Sequence, residues 1–328
     1  MAAWPTDAVR RRTAALAVAA ALLALFPLAG LGFYVELLTK VMILAIFAMS
    51  LDLLVGCTGL VSLGHAAYFG IGAYALALAA PKHHAPSLWL TLPLSVALAG
   101  LAALLVGMLV VRVKSIYFIM ATLAFAQMFY FLFHDTEFGR GSDGISMSFR
   151  PSASLGGFAP FDLSRPLHAY YFVLAAMLLV LAFLRRLRRS PFGRALRGIR
   201  ANEQRMRSLG FPTYRYKLAS FTVAGALAGL AGYLSAMQYG FVNPELLSWQ
   251  ESGNALFMVI LGGPGGIHGA VVGAFAFALL QEVFQSATVH WQLLLGAAII
   301  LLVLFVPGGL SSLRGRFTTA LVGGPEDD

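Results

Sequence analysis

The sequence contains a single cysteine, Cys57. No disulfide can therefore form within the chain, and a four-cysteine metal site is excluded. Charge is also scarce: 11% of the 328 residues are charged and 59% are hydrophobic, whereas a soluble domain carries about a quarter charged residues. Nucleotide-binding sequence is missing as well. No Gly-x-x-x-x-Gly-Lys-Ser/Thr occurs, and the glycine-rich run 262–269 has no lysine. Gly70-Ile71-Gly72 lacks the third glycine and the preceding strand of a dinucleotide site. Neither Gly-x-Ser-x-Gly nor His-Glu-x-x-His appears. These absences argue against an ordinary soluble enzyme with its own ATPase, hydrolase or cofactor site.

What is present is apolar sequence in long runs. That much apolar surface cannot be hidden in one globular core of this size, and a bilayer is the solvent that suits it. Ten apolar segments are read, at about 13–30, 40–56, 66–80, 88–111, 116–133, 169–184, 218–240, 253–262, 269–286 and 291–306. The expected fold is an all-α polytopic membrane protein of about ten spanning or partly spanning helices. A full span needs ~20 apolar residues, so 66–80 and 253–262 are short. Short segments interrupted by glycine are where transporters break their helices. The arginines at 10–12 precede an apolar run as in a secretory signal. Further spans follow at once, so the run is read as a first helix that stays attached.

The net charge is +9, and its placement sets the orientation. Arg185, Arg186, Arg188, Arg189, Arg194, Arg197, Arg200, Arg205, Arg207, Arg215 and Lys217 fall in one stretch, with Glu203 the only acid among them. Under the positive-inside rule this stretch is a cytoplasmic loop. With ten segments, 18 of the 23 basic residues fall on that same face, including those at 10–12, Arg112, Lys114, Arg314 and Arg316. The expected layout is a cytoplasmic tail 1–12, a membrane domain 13–310 and a cytoplasmic tail 311–328. Within the membrane domain, loop 185–217 is cytoplasmic and loop 134–168 extracytoplasmic. No aromatic platform or recognised fold accompanies the basic charge, so nucleic acid is not an expected partner.

The basic loop has its own pattern. Ser190 is a plausible N-cap with Pro191 at the first helical position. Gly210 and Pro212 form a stop signal. Between them Phe192, Ala195, Leu196, Ile199, Met206 and Leu209 recur at helical spacing. The expectation is one amphipathic helix over about 191–209, resting on anionic lipid or docking a cytoplasmic partner.

An internal echo is visible. Residues 56–65 carry a glycine break ending at His65, and residues 262–269 carry another around His268, each between two apolar segments. Freed backbone groups in a bilayer must line a cavity or be buried in protein. The breaks are thus read either as a substrate pathway and gate or as tight helical hairpins. Gly59, Ser62, Gly64, His65, Tyr68, Gly262, Gly263, Gly266 and His268 are the candidates there. The histidines are expected to bond freed carbonyls, and two so far apart in sequence are weak grounds for a metal. Asp52 lies inside an apolar segment, where a charge marks a functional site by default. Four residues before Gly56, it is also placed to cap the amides that this break frees. Gln127 and Tyr130, three apart, suit either a polar pathway or an interhelical bond. Gly225, Gly229 and Gly232, and Gly269 with Gly273, have the small-residue spacing that lets helices approach.

Three stretches carry a family resemblance. Gly59-Leu60-Val61-Ser62-Leu63-Gly64-His65-Ala66-Ala67-Tyr68-Phe69-Gly70-Ile71-Gly72-Ala73-Tyr74 resembles the signature of branched-chain amino-acid permeases of ABC importers. So does Arg215-Tyr216-Lys217-Leu218 followed by Ala228-Gly229-Leu230-Ala231-Gly232, and so does Leu261-Gly262-Gly263-Pro264-Gly265-Gly266-Ile267-His268-Gly269. The likeness runs from about 40 to 310 and is closer to the M type of the paired Liv permeases than to the H type. It implies a multi-pass bacterial inner-membrane subunit. Its implied partners are a second related permease, two cytoplasmic ATPases that hold the ATP and Mg, and an extracytoplasmic solute-binding protein. It places a coupling helix in the basic loop, with Arg197, Arg200, Glu203, Gln204 and Gly210 as coupling candidates. The usual Glu-Ala-Ala before the glycine is replaced here by Gln204-Arg205-Met206, with Glu203 one place early. Relatives of similar sequence serve urea, amides or aromatic acids. A proton-coupled secondary transporter working through Asp52 or Glu282 is the alternative class.

Overall fold

The computed structural model describes residues 21–29, 32–80, 85–113, 115–147, 149–154, 162–306 and 308–310. The expected tails 1–12 and 311–328, half of the first apolar segment (13–20 and 30), and Lys114, Arg314 and Arg316 lie outside the described residues. Each of the other nine apolar segments forms a helix. They are α1 (Gly32–Cys57), α2 (His65–Ala79), α3 (Leu88–Val110), α4 (Ile116–His134), α5 (Pro166–Arg189), α8 (Thr213–Tyr239), α9 (Trp249–Gly262), α10 (Ile267–Ala287) and α11 (Trp291–Phe305). Two short helices, α6 (Pro191–Ala201) and α7 (Glu203–Ser208), fill the basic loop. Six of the helices are long and apolar enough to cross a membrane, while α2 and α11 have 15 residues each. The chain is an all-α polytopic membrane protein.

Burial orders the bundle. In α1, 83% of the apolar window is buried inside the protein, against 22% in α4. Helix α1 is therefore the central post, flanked by α5, α8, α9 and α10, and α4 is peripheral. Helix α8 lies against α2 and α3 at backbone distance. A Cβ on Gly72 would stand 2.1 Å from the Gly229 carbonyl oxygen, and one on Gly232 would stand 1.8 Å from that of Phe69. The glycines at 229 and 232 thus perform the close packing that their spacing implies. A two-residue ladder, β1 (Ile145–Ser146) antiparallel to β2 (Phe241–Val242), ties the loop after α4 to the end of α8.

Two features of the basic region differ from the sequence reading. The segment expected to end at residue 184 continues unbroken to Arg189. Arg185 and Arg188 therefore sit on the last turns of α5 and not in a loop. The single helix expected over 191–209 is two helices. Asn202, at φ −159° and ψ 99°, leaves helical geometry, and its side chain accepts from Arg205 N at 2.9 Å to cap α7. Asn is among the strongest N-cap residues, and Glu203 follows it in the first turn, where acid suits the helix dipole. Of the proposed apolar face, Ala195, Leu196 and Ile199 are buried, whereas Leu209 is exposed. The break re-aims the second helix and takes Leu209 off the common face.

Both ends of this region match expectation. Ser190 Oγ accepts from Gly193 N at the start of α6, and Pro191 occupies the first turn. Gly210 has φ +83°. Gly210 N donates to Arg207 O and Phe211 N to Met206 O, the two bonds of a left-handed glycine cap.

Candidate functional site

The two glycine breaks meet at one end of the bundle. A Cβ on Gly56 would stand 2.8 Å from Gly265 Cα, so no side chain fits at Gly56. The helix before each break supplies a cap for the chain beyond the other. Asp52, on α1 before the first break, accepts from Gly265 N in the second at 2.9 Å. Ser252, on α9 before the second break, accepts from Ala66 N at the start of α2 at 2.9 Å. Asp52 is thus a cap, as its position indicated. The amide it serves belongs to the other break and not to Gly56 and its neighbours.

Between Leu63 and His65 the first break is closed by neutral groups. Leu63 N donates to Thr122 Oγ1 at 3.3 Å, and Gly64 N to Ser62 Oγ at 3.3 Å. Gly64 packs so tightly that a Cβ would stand 2.2 Å from Thr122 O. Gly59 turns at φ +73°. His65 is fully buried and stacks on Phe47 with ring centroids 5.6 Å apart. Its Nε2 pairs with Ser50 Oγ at 2.8 Å, so its partner is a hydroxyl and not the freed carbonyl expected. Tyr68 packs edge-on to His65 and to Phe221.

The second break is held by charge. Arg188 Nη2 reaches Asp52 Oδ2 at 2.6 Å and Asp52 O at 3.2 Å, and its Nη1 donates to Gly265 O at 2.9 Å. The Asp52 side chain is 1% exposed and that of Arg188 12%. A buried carboxylate costs several kcal/mol unless it is paired and fully hydrogen-bonded, and this one has both a guanidinium and an amide. From α6, Arg200 Nη1 donates to Gly56 O, and its stem lies 3.3 Å from where a Gly59 Cβ would stand. The basic segment thereby touches both breaks, one arginine to each. Gly262 and Gly269 approach at backbone distance, and Gly263 turns at φ +94°. Gly266 is the N-cap of α10. His268 faces Arg185, whose Nη2 is 3.3 Å from Nδ1.

The remaining candidates sit apart from this cluster. Gln127 is half-buried on α4, joined by no hydrogen bond to either break. Arg197 and Gln204 are exposed on α6 and α7. The Glu203 carboxylate turns inward: Lys217 Nζ and Arg207 Nη2 each lie 2.6 Å from it, and Thr213 Oγ1 donates to it at 3.2 Å. Burial raises its pKa, but the bonds and charges of Lys217 and Arg207 outweigh that and hold it below the 4.5 usual for a glutamate. No cluster of three or more His, Cys, Asp or Glu able to hold a metal occurs among the described residues.

Sequence reasoning missed Arg188, Ser50, Thr122 and Ser252. Arg188 was one of ten arginines and a lysine in one stretch, and only the continuation of α5 distinguishes it. An i, i+3 pair, Arg185 and Arg188, carried on from a spanning helix, was the available signal. The three hydroxyls carry no local signal, because their partners lie 15, 59 and 186 residues away.

A spanning bundle with two opposed glycine breaks is the architecture of a membrane permease. The profile of the family described as "Branched-chain amino acid transport system / permease component" matches residues 33–304. The chain belongs to that family. It is 32% identical over 295 residues to the high-affinity branched-chain amino acid transport system permease protein LivM of Escherichia coli K12, covering 84% of this chain and 69% of the relative. The LivM protein of Salmonella typhimurium LT2 matches to the same extent. The autoinducer 2 import system permease protein LsrC of Photorhabdus laumondii is 32% identical over 141 residues, 41% of this chain and 42% of that one. No solved structure matches.

Proposed function

We propose that this chain is the membrane-spanning subunit of an ATP-driven importer in the bacterial inner membrane, carrying branched-chain amino acids or similar small solutes. Its energy comes from two partner ATPases on the cytoplasmic face, its solute from an extracytoplasmic binding protein, and its bundle is completed by a second related permease. The carrying observation is that one basic segment, 185–217, contacts both glycine breaks through Arg188 and Arg200. A partner that moves α6 pulls directly on Arg200, while Arg188 lies on the adjoining end of α5. The excess of basic residues supports a cytoplasmic position for that end. The solute class follows the names of the LivM relatives, which align over most of this chain.

In this mechanism the described contacts are the closed inner gate. Asp52 keeps Gly265 N satisfied while closed, and Arg188 neutralises Asp52. Displacing α6 withdraws Arg200 from Gly56 O and parts the breaks, exposing polar groups that line a path for a zwitterion. No bond of the solute is made or broken on this chain.

The test is uptake by proteoliposomes holding the co-expressed permeases and ATPases, with the binding protein outside. Radiolabelled leucine should accumulate with ATP inside and stop without it. Uptake that persists without ATP under a proton gradient would overturn the reading. Arg200→Gln should slow ATP-driven uptake at least several-fold while leaving insertion intact.

A further inference from the structure

A second polar site lies away from the glycine breaks, at the shared end of α3 and α8. A cavity of about 350 Å³ opens there, lined by Val111, Arg112, Glu203, Arg207, Tyr214 and Lys217. Three cations and one carboxylate face it. Lys217 and Arg207 share Glu203. Arg112 has no carboxylate partner among the described residues, and its guanidinium carbon stands 5.3 Å from the centre of the Tyr214 ring. Tyr214 is itself fixed by donating its hydroxyl to Met108 O at 2.9 Å. The cavity therefore holds an excess of positive charge with one oriented, uncommitted guanidinium.

The helix leading to Arg112 has two unlike faces. Its inner face is small: Ala99 and Ala103 stand where Gly229 and Gly225 of α8 come closest, and Gly107 meets Phe221 and Leu218. Its outer face carries Leu94, Leu98, Leu101, Leu105 and Leu109, all exposed. These residues recur every three or four positions and end at Arg112. Helix interfaces within a bilayer favour small residues, so a stripe of leucines is the face that lipid chains cover. A basic pocket at the end of such a stripe lies at headgroup depth.

We propose that this cavity binds the phosphate of an anionic phospholipid whose acyl chains lie along the leucine stripe of α3. Arg112 is the principal ligand, since a phosphate is the bidentate partner that its guanidinium lacks. Lys217 and Arg207 add charge at the rim. Through Arg207 the bound lipid touches α7, so the headgroup braces the basic segment that reaches the breaks. The proposal rests on the membrane-spanning bundle and is independent of its orientation, its solute and its energy source.

The test uses the full chain in neutral detergent and native mass spectrometry, with equal amounts of dioleoylphosphatidylglycerol and dioleoylphosphatidylcholine. The unaltered chain should retain the anionic lipid about fivefold over the neutral one, the effect of roughly one basic side chain at a membrane surface. Arg112→Gln should bring the ratio close to parity, Arg207→Gln should lower it partly, and Arg112→Lys, which keeps the charge and loses the bidentate fork, should fall between the parent and Arg112→Gln. Each variant is read only if its thermal unfolding in phosphatidylcholine matches that of the parent. An unchanged preference in both glutamine variants would overturn the proposal. Glycerophosphate at millimolar concentration should not displace the lipid; displacement would make this a site for free phosphate and would also overturn it. Loss of ATPase co-purification in Arg112→Gln with the lipid preference intact would assign the cavity to protein docking, against the proposal.

Discussion

The two glycine breaks resemble each other in sequence but differ in what holds them. Between Gly59 and Gly64, Leu60, Ser62 and Gly64 are buried while Gly59 is exposed, and the chain is fastened by hydroxyls from Ser62 and Thr122, with Ser252 capping the helix that follows. Around Gly262–Gly266, Pro264 and Gly265 are exposed, and the fastening is Asp52 with Arg188. Neutral hydrogen bonds in a packed interior contribute about 1 kcal/mol each and leave little room for rearrangement. A charge pair at a helix end is different. Its partners keep much of their favourable energy once water reaches them, so it can part without leaving a dry orphan group. The contrast makes 59–64 the fixed side of the junction and 262–266 the side expected to move, with Arg200 holding Gly56 O at the seam until α6 withdraws.

The largest effect that would break this contrast comes from Asp52→Ala. It leaves Arg188 unpaired and Gly265 N without its acceptor, and removal of one partner of a buried pair costs about 3 kcal/mol or more. Detergent-solubilised protein should show a clear drop in thermal stability, and uptake should fall with it. Unchanged stability would mean that the ion pair does not close the second break. Gly64→Ala comes next, because its Cβ would strike the Thr122 carbonyl. Overpacking of this kind costs about 1–3 kcal/mol. Gly265→Ala meets no backbone atom within 3.4 Å and carries only its positive-φ cost, about 1 kcal/mol. A larger penalty at Gly265 than at Gly64 would reverse the ranking of the two breaks.

Ser252→Ala removes the acceptor of Ala66 N and should cost about 1–2 kcal/mol. Its readout is thermal unfolding, with ATP dependence of uptake retained. Smaller still is Gly210→Val. The space around Gly210 is open, with no atom within 4 Å of a Cβ, so the penalty is the positive φ alone, about 1 kcal/mol. Insertion should be normal, with weaker ATPase retention and slower uptake. Normal values for both would remove α7 from the coupling path. The Glu203 carboxylate is held below its ordinary pKa, so its contribution is present above pH 4.5 and is lost as pH falls through the lower folded-state value. Protease protection of the 202–212 stretch should decline in that acidic range, and Glu203→Gln should show the loss already at neutral pH.

Hydropathy made the helices legible, because a span must be apolar along its whole length whatever it packs against. Local punctuation was legible for the same reason: Ser190 with Pro191 starts α6, and Gly210 ends α7, by chemistry contained within a few residues. Asn202 was readable too, yet the run of arginines on either side masked it as a mid-helix polar residue. What the sequence could not disclose was the pairing. Asp52 and Gly265 are 213 residues apart, and nothing local distinguishes an aspartate that caps its own break from one that caps another. The packing of α9 and α10 directly against α1 brings these distant positions together.

Hydrogen exchange followed by mass spectrometry on the assembled transporter, with and without ATP, tests the difference between the breaks most directly. The amides of 60–66 should stay protected in both states, while those of 262–268 should exchange faster when ATP is turned over. Equal acceleration in the two stretches, or acceleration confined to the first, would contradict the assignment of motion to the charge-held break.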